Sequence, residues 1–136
     1  MQDPNNIIGR SLLDGISLIN EALLELAHSL RDKPGVSGAK RGFDIRRYKT
    51  GPVLEAFVDV ETRSGKAYSW WLDARWEQSV WTVESSVRMI HQKGQDLLVR
   101  FPVRESQAVS EFLEHLKSAT DELIDSARKF NFSNDS

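Results

Sequence analysis

Between residues 43 and 103 apolar and polar side chains alternate, interrupted by short glycine turns; on either side the apolar residues recur at every third or fourth position. Alternation places successive side chains on opposite faces of a strand, and the three-four spacing lines one face of a helix. The pattern therefore predicts an antiparallel sheet bracketed by two amphipathic helices.

The first helix is predicted over residues 4–31, with Asp3 as its N-cap and Pro4 at the first helical position, where the missing N–H costs nothing. Ile8, Leu12, Ile16, Ile19, Leu23, Leu26 and Leu30 form its apolar stripe, widened by Ile7, Leu13, Leu24 and Ala27. Gly9 and Gly15 each weaken a helix by about 1 kcal/mol relative to Ala, which predicts bending or fraying of the first turns. Lys33-Pro34-Gly35 stops it, because proline disfavours helical geometry in the residue before it. The second helix is predicted over residues 106–130, capped by Ser106, with Val109, Phe112, Leu113, Leu116, Ala119, Leu123, Ile124, Ala127 and Phe130 at helical spacing. Residues 131–136 read as a frayed polar tail.

A Gly- and Ser-bearing loop over residues 35–42 leads into five strands, near 42–48, 53–62, 66–76, 80–91 and 95–103. The turns test whether their faces agree. With Gly65 left-handed in a three-residue loop, Thr62 pairs with Lys66, so Val58 meets Trp70 and Ala56 meets Leu72 on one face. A similar loop, Gln92-Lys93-Gly94, sets Met89 against Leu97 and Val87 against Val99, with Phe101 and Val103 continuing the inner face. A Thr50-Gly51 turn opposes Phe43 to Val58 and Ile45 to Ala56, and points Arg47 inward. The fold class is α+β: a two-layer sandwich in which an N-terminal helix, a five-stranded antiparallel meander and a C-terminal helix form one domain over residues 1–136, both helices on one sheet face.

Composition narrows the chemistry. The 136 residues contain no cysteine, so disulfides, thiolate nucleophiles and cysteine-bearing zinc sites are excluded and the core must carry the stability. The N-terminus has neither a basic n-region nor an apolar h-region, and no apolar run reaches the ~18 residues of a membrane span, so the expectation is a soluble, cytoplasmic protein. His28, His91 and His115 fall in three different elements, and no HExxH, GxSxG, Walker or GxGxxG pattern occurs. Glu25 and His28 make a single ExxH, whereas carboxylate-bridged metal sites need two copies with further glutamates. The sequence therefore points to no enzyme, metal or cofactor.

Binding surfaces are better signalled. Helices on one face leave the other uncovered, and the predicted register puts Phe57 opposite Trp71 there, with Arg75 and Arg88 among the surrounding charges. Aromatic and arginine side chains ringed by charge are the composition of a protein contact. The alternative is a cross-strand pair serving the sheet alone. Glu114, Asp121 and Asp125 on the last helix form a second acidic patch, or an ordinary solvated face. Trp70, Trp76 and Trp81 point to the helix side, either as core or around a small-ligand pocket with Arg47 or His91 as its polar anchor. Residues 40–49 hold five cations and one carboxylate, the composition of a phosphate-contacting strand or of a guarded sheet edge. The net charge of −2 and the absence of a nucleic-acid motif weigh against the former.

The order helix, five-strand meander, helix is similar in outline to small bacterial interaction proteins, among them toxin-neutralising immunity proteins and secretion chaperones. The chaperones interrupt the strands with a helix, which this sequence lacks. The resemblance in architecture implies an immunity-like stoichiometric binder of a protein partner, or of a second copy as a homodimer.

Overall fold

The computed structural model describes the backbone of residues 4–48, 51–77 and 79–135, and the side chains of residues 14–46, 53–76 and 79–133. Its elements are α1 (Pro4–Arg31), β1 (Val36–Tyr48), β2 (Gly51–Thr62), β3 (Ala67–Glu77), β4 (Val80–His91), β5 (Gly94–Arg100), β6 (Arg104–Ser106), α2 (Val109–Lys129) and a 3-10 turn (Phe132–Asp135). Strands β1 to β5 lie in sequence order with every neighbour antiparallel, and β6 pairs with the first part of β4. The architecture is α+β, with both helices packed on one side of an open sheet.

The core lies where the sequence patterns converge. Ile19, Leu23, Leu26, Ala27 and Leu30 of α1, and Phe112, Leu116, Ala119, Leu123 and Ala127 of α2, pack onto Ala56, Val58, Val60, Trp70, Leu72, Val83 and Val87 of the sheet. Strand alternation explains the sheet contribution, since even positions of β2 and β3 and odd positions of β4 share a face. The helices run side by side in the same direction: Gly15 faces Leu113 at one end, and Lys33 Nζ donates to the Arg128 carbonyl near the other.

The β2–β3 register matches the sequence prediction at Val58–Trp70, Phe57–Trp71 and Ala56–Leu72. Gly65 has φ +89°, and the Gly65 and Thr62 N–H groups donate to the Thr62 and Lys66 carbonyls, closing the turn. Elsewhere the structure corrects the reading. Strand β1 begins at Val36, not 42, and buries Val36 and Ala39; the glycines of 35–42 do not make that stretch a loop. Its register differs by two residues, so Phe43 opposes Ala56 and Ile45 opposes Leu54, which preserves the faces but changes every partner. The Asp3 cap and the Thr50 turn position lie outside the described residues, as do the side chains of Arg47 and of α1 before Asp14.

The last hairpin departs furthest. His91 pairs with Gly94, and the register shifts so that Arg88 meets Leu97 while Val87 meets Val99. Leu98 is the extra residue of a bulge, which turns Leu97 to the open face. Leu97, Val99 and Val103 are exposed, against the expectation of a core-facing strand: the bulge turns Leu97 away, and neither helix reaches this edge. After Arg100 the chain leaves the sheet and returns as β6, so Ser106 is a strand residue and α2 starts at Val109 behind Ala108 without a side-chain cap. The tail is corrected as well: Phe132 is 2% exposed and packs edge-on against Tyr68 and Trp70.

Candidate functional site

Among the described residues no element lies over the sheet face opposite the helices, and the register arranges that face in rows running across the strands. One row reads Gly42, Phe57, Trp71, Ser86 at directly opposed positions. Phe57 and Trp71 stack with centroids 4.8 Å apart and planes 4° from parallel. Gly42 makes the geometry possible, since its missing side chain lets the Phe57 ring extend over β1.

The adjacent row is Asp44, Glu55, Asp73, Glu84: four carboxylates directly opposed across four strands. Like charges in opposed positions are unfavourable, so something must compensate. Arg46 Nε lies 3.0 Å from Glu55 and 3.3 Å from Asp44, and an Arg75 amino group lies 3.0 Å from Glu84. Asp73 is held differently, accepting a 2.6 Å hydrogen bond from the Trp71 indole N–H. Burial pushes its carboxyl above the ordinary value; the indole bond opposes this, the neighbouring Glu55 and Glu84 add to it, and Arg88 opposes it. Asp59, on the other side of the aromatic row, is also raised by burial, with the Ser69 hydroxyl and Lys40 acting the other way. Arg88 spans to the edge, donating to Ser86 Oγ at 3.1 Å and Gln95 Oε1 at 3.0 Å.

The four residues expected on this face, Phe57, Trp71, Arg75 and Arg88, thus share it, with Arg75 two rows to one side of the aromatic row and Arg88 one row to the other. Glu114, Asp121 and Asp125 are exposed on α2, in the helical layer, so they cannot belong to the same contact. The pocket expectation divides. Trp76 and Trp81 line an apolar hollow of about 430 Å³ with Ile45, Leu54 and Phe112, and among the described residues Arg75 is the one charged residue lining it. Trp70 is fully buried, donating to Ser126 Oγ at 3.2 Å, and does not line it. His91 sits at the β4–β5 turn with Nε2 3.1 Å from Asp96 and does not line it either; both positions were set by the bulk of the core and the turn, not by the hollow. The basic segment is split between faces: Arg41 turns inward to Asn20 Oδ1, while Arg46 is engaged by carboxylates. Among the described residues its cations thus do not form a single stripe. Among the described residues no three His, Asp or Glu side chains are grouped to hold a metal ion, and His28 Nδ1 faces the Arg31 guanidinium at 3.2 Å.

Sequence reasoning missed Gly42 and the carboxylate row. Both depend on the β1 register: two residues out, Asp44 falls opposite Phe57 and Arg46 falls opposite Glu55, which hides the row. It also missed Leu97, which the bulge brings to the open face beside Arg88.

No protein-family model matches the chain, and no curated protein or solved structure matches it. Among the described residues no helix is long and apolar enough to cross a membrane.

Proposed function

We propose that this protein is a non-enzymatic, stoichiometric binding domain whose open sheet face receives a protein partner presenting a cationic side chain among apolar ones. The observation that carries this is Asp73. It stands between two opposed glutamates and takes its 2.6 Å hydrogen bond from the half-buried Trp71. A lysine or arginine from a partner would lie against the indole and be surrounded by carboxylates, combining cation–π attraction with charge pairing. Phe57, Trp71 and Leu97 supply the apolar contact, and Arg75 and Arg88 supply the donors at its rim. A toxic nuclease whose basic groove this chain would cover as an antidote is one partner of this chemistry.

The test is capture from native lysate on the immobilised chain, in parallel with Trp71→Ala and Asp44→Lys; Asp44 is exposed, so its reversal leaves the fold intact. The reading expects a basic protein retained one-to-one by the native chain, lost by both variants, and kept by Glu114→Lys on the helical layer. A protein retained equally by the two face variants, or one lost only with Glu114→Lys, would sink it.

A further inference from the structure

The helical layer carries a second feature, independent of the open face. Because α1 and α2 run parallel, their outer surfaces enclose a groove of about 490 Å³ whose base is formed by Gly15, Ile19 and Leu116. Leu18, 67% exposed, and Ala22 stand on the α1 side; Leu113, Lys117, Thr120 and Asp121 stand on the α2 side, and Asp14 closes one end. Gly15 is part of the reason the groove exists. Its missing side chain admits Leu113, whose Cδ2 would come 2.5 Å from a Cβ there.

We infer that this groove is a docking site for an amphipathic helix of a partner protein, with cations at both ends of its apolar stripe and a carboxylate between them. The apolar lining from Gly15 to Ala22 covers two turns, about 10 Å, which accommodates anchors at i, i+3 or i+4, and i+7. Charge selects the flanks. Asp14 and Asp121 mark the ends and Lys117 stands between them on α2, and none of the three has an ion-pair partner among the described residues. Asp14 lies near the level of Leu113, so the two carboxylates are separated by about 13 Å along the groove, two and a half helical turns of an occupant. A helix with the sequence of charges cation, carboxylate, cation meets three opposite charges there; the inverted helix meets three like ones.

The test uses two fluorescent synthetic peptides with the same leucine stripe, one carrying the flank cation-carboxylate-cation and one with every charge inverted, titrated against the full chain by anisotropy. The first should bind about tenfold more tightly. Leu18→Glu, at an exposed position that leaves the thermal midpoint unchanged, should abolish binding of both, and Asp14→Lys with Asp121→Lys should narrow or reverse the preference. Trp71→Ala should change neither, which separates this site from the open face. Equal binding of the two peptides, no binding of either, or binding indifferent to Leu18→Glu would overturn the inference.

Discussion

The ring of Phe57 occupies the space that a side chain on Gly42 would need: a Cβ built on Gly42 comes 2.0 Å from Phe57 Cζ. On its other flank the same ring stacks on Trp71, so the aromatic row depends on one residue having no side chain. Gly42→Val should force the ring out of place and cost about 1–3 kcal/mol, the usual range for overpacking, measured by urea unfolding with near-UV circular dichroism as the report on Trp71. In a Phe57→Ala background the clash is gone, and the same Gly42→Val should be neutral or stabilising, since valine is the better strand residue. An equal cost in both backgrounds would mean that Gly42 serves the backbone and not the ring.

Glu55 is only 7% exposed although it sits on the open face, with Asp44 and Asp73 directly opposite on either side. Arg46 compensates at 3.0 Å. Arg46→Gln should lower stability at neutral pH by about 1–3 kcal/mol, because a largely buried carboxylate then loses its charge-assisted bond between two like charges. Adding Glu55→Gln should recover most of the loss. The thermodynamic cycle measures the coupling, and additivity of the two changes would show that Arg46 acts on something else.

The extent to which these features are legible in the sequence follows from where a turn fixes the register. Gly65 between two strands of clear alternation determines β2 against β3, and Phe57 opposite Trp71 follows from it. The apolar stripe from Ile16 to Leu30 and the following Lys33-Pro34-Gly35 likewise locate α1 and its end. The glycines at 35, 38 and 42 read as loop punctuation, yet Gly42 is a mid-strand residue because a ring from the neighbouring strand needs its space. That reason is tertiary, and no local signal carries it. The bulge at Leu98 is similar: Leu97 and Val99 alternate like core residues, yet the bulge turns Leu97 to the open face and the helices stop short of Val99.

Strand β5 gives a direct discrimination. If Leu97 and Val99 faced the core, truncation to alanine would cost Leu97 about 2–5 kcal/mol through lost transfer energy and a cavity. Exposed by 50% and 42%, they should each cost about 0.5 kcal/mol or less. Leu72→Ala, at a fully buried site on β3, is the internal standard and should show the full core penalty. Equal losses at Leu97 and Leu72 in chemical denaturation would place β5 under cover.

Asp73 makes the stability depend on pH with a definite sign. Its folded carboxyl is raised above the ordinary 3.8, chiefly by burial and further by Glu55 and Glu84. As pH rises past that ordinary value the unfolded chain releases this proton first, so the native state holds more protons and stability falls across the window up to the raised folded value. Above the window the loss is constant; below the ordinary value it vanishes. Asp59, raised by burial, acts in the same direction. Asp73→Asn keeps an oxygen to accept the Trp71 N–H but carries no charge. Its thermal midpoint should therefore exceed the native one at pH 7, and the advantage should shrink as pH is lowered through the window. Glu84→Gln should raise the native midpoint at pH 7 by relieving the same repulsion, offset in part by the loss of its contact with Arg75. A midpoint for Asp73→Asn below the native one at neutral pH, or a difference independent of pH, would show that the ionised carboxylate stabilises this face and needs no cation from a partner.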